Sequence, residues 1–185
     1  TIVNFSVENS NKTFDVFTTR VDTLMGVSYV VLAPEHPLVL EITTNDYLSN
    51  VKNYIDLSSK QSEIDRVSSN REKTGEFTGA YAIHPITNKK LPIWISDYVI
   101  STYGTGAVMA VPAHDERDFE FSKKFNLPIF EVIKTETQTN LPITEKGTLI
   151  NSEIFNNLSS DKAKEEITKH LQSINKGSFK TTFRL

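Results

Sequence analysis

Two stretches of this chain gather polar groups that can do chemistry. One is Thr18-Thr19-Arg20-Val21-Asp22-Thr23, where hydroxyls and charges crowd the end of a β-prone run. The other is Ala113-His114-Asp115-Glu116-Arg117-Asp118, which follows the short apolar run Ala107 to Val111 and Pro112. Such groups can bind a small polar ligand and orient a water, but they offer no nucleophile paired with a strong base. His36, His84, His114 and His170 are scattered, and only His114 falls in a dense polar cluster. Their spacing suits no metal site, there is no cysteine, and Gly104-Thr105-Gly106 is too short for a nucleotide fingerprint.

Asp118 carries the sharpest choice. Asp118, Phe121 and Phe125 stand at i, i+3 and i+7, one face of a helix, so Asp118 leans inward at its first turn. A carboxylate facing the interior is costly unless something satisfies it. Either Asp115 is the N-cap and Asp118 completes an Asp-x-x-Asp capping box, or Asp118 faces a pocket and takes a cationic group. The threonine cluster has a similar pair of readings. Thr is a strand former and Asp22 can cap a turn, or the group is a site.

The elements around these stretches follow from periodicity. Ile2 to Val7 and Phe14 to Thr19 read as a hairpin, with Phe14, Val16 and Thr18 on one face. Val27 to Leu32 reads as an apolar strand, and Glu35 to about Ile42 as a short helix. Asp46 to Asn70 is a polar helical stretch with Leu48, Val51, Ile55, Ile64 and Val67 as its apolar stripe and a break near Ser58-Ser59. Phe77 to Ile86 and Leu91 to Val99 are strands about a Thr87–Lys90 turn, and Ile129 to Ile133 is another. Residues 135 to 147 form a polar loop, Thr148 to Asn151 a short strand, and Ser160 to about Ile174 a helix. Ser178 to Leu185 is extended. Short strands with helices between them, out of regular βαβ alternation, predict an α+β fold about a curved, barrel-like sheet.

With 185 residues and 38% hydrophobic content, the chain suits one domain, 1–185, with a real core. A net charge of −3 is no footprint for autonomous nucleic-acid binding. No apolar run approaches the ~20 residues of a membrane span, and no signal peptide opens the chain, which points to a cytoplasmic protein. Both ends lie in extended segments, as in an insertion cut from a larger protein.

Thr18 to Gly26 resembles the TTRPDTLMG-type segment of leucyl-tRNA synthetases, and Gly104 to Asp118 resembles their GTGAVMAVPAHDERD segment. Ala33 to Leu38, Phe77-Thr78-Gly79 with Pro85, and Ile150-Asn151-Ser152 with Phe155 and Leu158-Ser159-Ser160 also fit. The likeness spans the chain and looks bacterial or organellar. It implies the editing insertion (connective polypeptide 1) of such a synthetase, shared in fold with the valyl and isoleucyl enzymes. Phe183-Arg184-Leu185 then marks the return to the parent's catalytic domain. The implied activity is hydrolysis of the ester of mischarged leucine tRNA, with leucyl-tRNA spared.

By the resemblance, Asp118 pairs with the substrate's α-ammonium, and Thr23 crowds leucine out. Thr18 and Thr19 bond the terminal adenosine, or the attacked carbonyl and water. Met109 and Val111 line the pocket. Arg20, Asp22 and Asp115 belong to the site, with Tyr103 at the adenosine and Arg117 holding the acidic cluster. No metal or cofactor is expected in this domain, the ATP and Mg of the parent acting elsewhere. The expected partners are the 3′ end of aminoacylated leucine tRNA and the rest of the synthetase in cis, in a monomer. The family has proline where Val21 stands, so a looser Arg20–Asp22 turn is expected. The alternatives are the isoleucine or valine editing domain and a non-catalytic tRNA-binding module.

Overall fold

A computed structural model describes residues 1–68 and 70–181. The β1 strand (Ile2–Val7) turns back into β2 (Thr13–Phe17), pairing Val3 with Val16 and Phe5 with Phe14. Alternation is strict, so Val3, Phe5, Val7, Phe14 and Val16 all face inward. A 3-10 helix (Val21–Gly26) leads to β3 (Tyr29–Leu32). Three helices follow, α1 (Val39–Ile42), α2 (Asn45–Ser59) and α3 (Glu63–Arg66). Then come β4 (Glu76–Ile83), β5 (Lys90–Ile95), β6 (Ala107–Ala110) and α4 (Glu116–Phe125). The chain continues through β7 (Ile133–Lys134), β8 (Thr148–Leu149), α5 (Ser160–Ser173) and β9 (Gly177–Ser178).

The main sheet runs β2-β1-β4-β5-β3-β6, with β9 added along β1. Its pairs are antiparallel except β3 with β5. The two outer strands, β2 and β6, curl round to face each other, so the sheet is a nearly closed barrel. Val30 and Leu32 of β3 fill the barrel with Phe5, Ile93 and Met109. On the outer side, Tyr29 and Val31 join Tyr98, Val99, Ala110 and Phe121 in a second cluster beneath α4. That double burial explains why β3 is apolar throughout instead of alternating.

The expected α+β barrel is the observed one, but the helix expected from Glu35 starts only at Val39, the strand expected to Val99 ends at Ile95, and three further local differences appear. First, the helical stretch 46–70 breaks after Ser59 as expected, but its stripe does not carry on, because Ser62 caps a new single turn by accepting the Asp65 N–H. The phase shifts there, so Ile64 and Val67 are 82% and 54% exposed, while Arg66 turns inward. Its Nε donates to the Asp97 carbonyl at 2.9 Å and Nη2 to that of Val99 at 2.9 Å, and it pairs with Glu35 at 3.0 Å. Second, only Ile133 of the expected 129–133 strand is ladder, joining Lys134 in β7 against β8. Third, among the described residues only Ser178 of the expected 178–185 segment joins a strand, as the second residue of β9, and Phe183-Arg184-Leu185 lies outside them.

Candidate active site

A barrel that stops short of closing leaves a gap between its outer strands, and the polar residues gather there. A cleft of about 290 Å³ opens at the seam. One wall is β2 and its continuation, from Val16 to Arg20, with Thr23. The other is β6 and its continuation, Val108, Met109 and Val111, closed by His114, Asp115, Arg117 and Asp118 at the start of α4. Pockets for small ligands begin at about this size.

The 3-10 helix sets the first wall. Arg20 grips Asp22 with both arms of its guanidinium, Nε to Oδ1 at 3.0 Å and Nη2 to Oδ2 at 3.1 Å, and its Nη1 donates to the Thr144 carbonyl. The Thr23 hydroxyl donates to the Arg20 carbonyl at 2.7 Å, and the Thr23 N–H does so at 3.0 Å. Val21, 1% exposed, starts the helix where proline is favoured. With valine at this position, the ion pair and the Thr23 bonds close the turn. From behind, His84 of the β4–β5 turn bonds Leu24, Nε2 to the carbonyl at 2.9 Å. The Thr18 hydroxyl oxygen accepts the Arg20 N–H at 2.9 Å, which leaves its proton free to donate.

On the second wall, Gly104 and Gly106 take φ of +61° and +70°, conformations that suit glycine, and bring the chain into β6. Asp115 caps α4, its Oδ1 accepting the N–H of Arg117 at 2.9 Å and of Asp118 at 3.0 Å. The capping half of the first reading is thus present, but Asp118 does not complete a capping box. Its Oδ1 accepts the Tyr98 hydroxyl at 2.9 Å and its Oδ2 the Val111 N–H at 2.9 Å. Asp118 is only 6% exposed and lies on the floor of the cleft. Burial, then the neighbouring Asp115 charge, pushes its carboxyl up to about 7.

His114, the histidine in the polar cluster, is a structural clip. Nδ1 bonds the Ile143 carbonyl at 2.8 Å, while Nε2 accepts the N–H groups of Val132 and Ile133 at 3.0 and 3.2 Å. That pattern fixes a neutral imidazole protonated at Nδ1, and burial pushes its pKa down. With both nitrogens committed to the backbone, it is no general base.

The seam brings together Thr18, Thr19, Arg20, Thr23, Met109, Val111, Asp115, Arg117 and Asp118. It does not gather two other candidates. Asp22 is fully buried beneath Arg20, and Tyr103 is 71% exposed, away from the cleft lining. Sequence reasoning missed Phe17 and Val108, which line the cleft, and Tyr98, which lies behind it. Phe17 and Val108 sit next to singled-out residues and were legible as strand neighbours. Nothing in the sequence joins Tyr98 to Asp118.

The family model for the leucyl-tRNA synthetase editing domain matches residues 1–172. The leucine–tRNA ligase of Clostridium perfringens (strain 13) is 60% identical over 185 residues, covering 99% of this chain and 23% of that protein. That of Clostridium tetani is 56% identical over 183 residues, covering 99% and 22%. Among solved structures, the Agrobacterium radiobacter agnB2 LeuRS–tRNA–LeuAMS ternary complex superposes with a TM-score of 0.78 at 32% identity. The match covers 100% of this chain and 20% of that one. The chain therefore spans under a quarter of the length of these relatives. A full-length sequence match and a barrel shared at that level agree: the chain belongs to the leucyl-tRNA synthetase editing-domain family.

Proposed function

We propose that the seam cleft hydrolyses the ester between a wrong amino acid and the terminal adenosine of leucine tRNA, and spares leucyl-tRNA. A synthetic pocket gains only ~1–3 kcal/mol per methylene, so near-isosteres of leucine escape it and a second sieve is needed. One observation carries the reading. A buried carboxylate, a threonine with its hydroxyl tied back, and the Thr18 and Thr19 hydroxyls all line one cleft at the barrel seam.

In this reading Asp118 receives the α-ammonium, which is common to every amino acid and anchors them alike. The ammonium also favours the charged carboxylate, drawing its pKa down from about 7. Thr23 presents its methyl group to the amino-acid side chain and excludes leucine, while isoleucine, methionine or norvaline is admitted. Thr18 and Thr19 bond the ribose or the attacked carbonyl and orient the water that attacks it. Water adds to the ester carbonyl carbon, and the bond to the ribose oxygen breaks, giving free amino acid and uncharged tRNA. The step needs no metal or cofactor from this domain. ATP and Mg belong to the rest of the synthetase, which also supplies most of the grip on tRNA phosphates. Such work places the protein in the cytoplasm.

The test compares deacylation of isoleucyl- and leucyl-tRNA of the leucine type. Fast loss of the first with the second preserved is the expected result. Asp118→Ala should cut clearance of the mischarged tRNA at least a hundredfold, and near-normal turnover would remove it from the site. Tight tRNA binding with no hydrolysis would instead make the domain a binding module.

A further inference from the structure

Two tyrosine hydroxyls leave the outer aromatic cluster and converge on one residue. Tyr29 donates to the backbone carbonyl of Asp118 at 2.8 Å, and Tyr98 to its carboxylate Oδ1 at 2.9 Å. The Val111 N–H takes the other carboxylate oxygen. The helix does not require this arrangement, because Asp115 already caps α4. A second acidic group driven into the interior beside the first is a cost in stability. It makes sense only if the carboxylate is wanted in that place and orientation.

The bonds do separate jobs. Tyr29 fixes the backbone of the first turn of α4. Tyr98 and Val111 each hold one carboxylate oxygen, so the plane of the group is set by donors from two different segments. Each oxygen keeps acceptor capacity for the cleft. The Tyr98 hydroxyl is the only one of the two that touches the charge-bearing atoms.

We propose that Tyr98 is a positioning residue for the cleft, its hydroxyl fixing the Asp118 carboxylate and favouring the ionised form that an incoming ammonium requires. The inference rests on the deacylase reading for its functional meaning, but the coupling of the two side chains is measurable without it. Tyr98 is itself held from outside the barrel. Arg66 of α3 bonds the carbonyls on both sides of it, Asp97 and Val99, and the Asp97 N–H donates to the Tyr54 hydroxyl at 2.9 Å. The inward turn of α3 thus ends at the floor of the cleft.

Other charged and titratable groups surround the carboxylate. Asp115 and Arg117 share its helix start, Tyr29 comes from β3, and Arg20 and His114 line the same cleft. Burial keeps both tyrosines protonated, their pKa values pushed up, so each remains a donor across the working range.

The experiment pairs Tyr98→Phe with Tyr29→Phe, which deletes a hydroxyl from the same cluster but spares the carboxylate. A hydrogen bond to a charged group predicts about a tenfold rise in KM for isoleucyl-tRNA of the leucine type in Tyr98→Phe near neutral pH. Its kcat should stay within about twofold, with the acid limb of the KM profile moved to higher pH. Tyr29→Phe should keep the wild-type limb. Thermal melts supply the readout that needs no activity. If Tyr98 favours the charged carboxylate, the melting deficit of Tyr98→Phe is larger at about pH 8 than at about pH 5, where Asp118 holds its proton. An unmoved limb, or an equal deficit at both pH values, overturns the inference. A wild type that does not hydrolyse the ester but shows the unequal deficit overturns the deacylase reading and upholds the coupling.

Discussion

Under the proposed function, Thr23 divides its side chain between structure and selection. Its hydroxyl is spent on the Arg20 carbonyl, which fixes the rotamer of a residue that lines the cleft, and in that reading the contact with the amino acid falls to the methyl group. Three substitutions separate the two uses. Thr23→Ser keeps the bond and loses the methyl, so leucyl-tRNA should become a substrate, as it should with Thr23→Ala. Thr23→Val keeps the shape and loses the bond, so leucyl-tRNA should stay protected at a cost of about 1 kcal/mol in stability. Deacylation of leucyl-tRNA with denaturant melts checks all three, and a protected leucyl-tRNA in Thr23→Ser would refute the methyl's role. At this scale the sequence was readable where helical periodicity governs, as with the inward lean of Asp118. It was unreadable where the answer is a partner brought by the fold. Tyr98 is 20 positions away from Asp118 and looks like any strand-end aromatic.

Elements were legible when long and patterned. The β1–β2 hairpin, the split of the 46–70 helix and the start of α4 follow from alternation, breakers and caps. Single turns escaped. The reading of α3 carried the apolar stripe on to Ile64 and Val67, yet a one-turn helix has too few residues to hold a phase, and tertiary bonds to Arg66 set it instead. That makes Arg66 the residue on which α3 docks. Arg66→Ala should destabilise the protein by about 2–4 kcal/mol, since two buried carbonyls lose their donor. Arg66→Lys should recover little, because an ammonium cannot span the fork. Urea melts of the two variants decide this, and a lysine variant of wild-type stability would show that charge alone matters.

At the scale of the molecule, buried ionisable groups give opposite responses to acid. His84 and His114 are neutral when folded, burial holding their pKa values down. Their contribution is complete above the unfolded value of about 6.5 and is lost as pH falls below it. Asp118 does the reverse. Its folded pKa lies above the unfolded carboxylate value, so it binds a proton on folding and adds stability as pH falls through about 7. The wild-type melting temperature should therefore fall less between about pH 7 and pH 5 than that of Asp118→Asn, which lacks the offsetting carboxyl. Equal slopes for the two proteins would show that Asp118 does not titrate in that window. The α+β class and barrel character were legible in the strand count. The parallel pairing of β3 with β5 and the meeting of β2 with β6 were not, since both are relations between segments far apart in the chain.

That last feature bears on how the width of the cleft is set. Among the described residues no ladder of backbone bonds joins β2 to β6, so the spacing of the two edges is set by how the first hairpin leans on its supports. Those supports are remote, namely the two-residue strip β9 and the helix α5 packed against the 3-10 turn. If the cleft sieves amino acids as proposed, substitutions on that far side should shift which ones it accepts by widening or narrowing the slot, without any altered atom meeting the ligand.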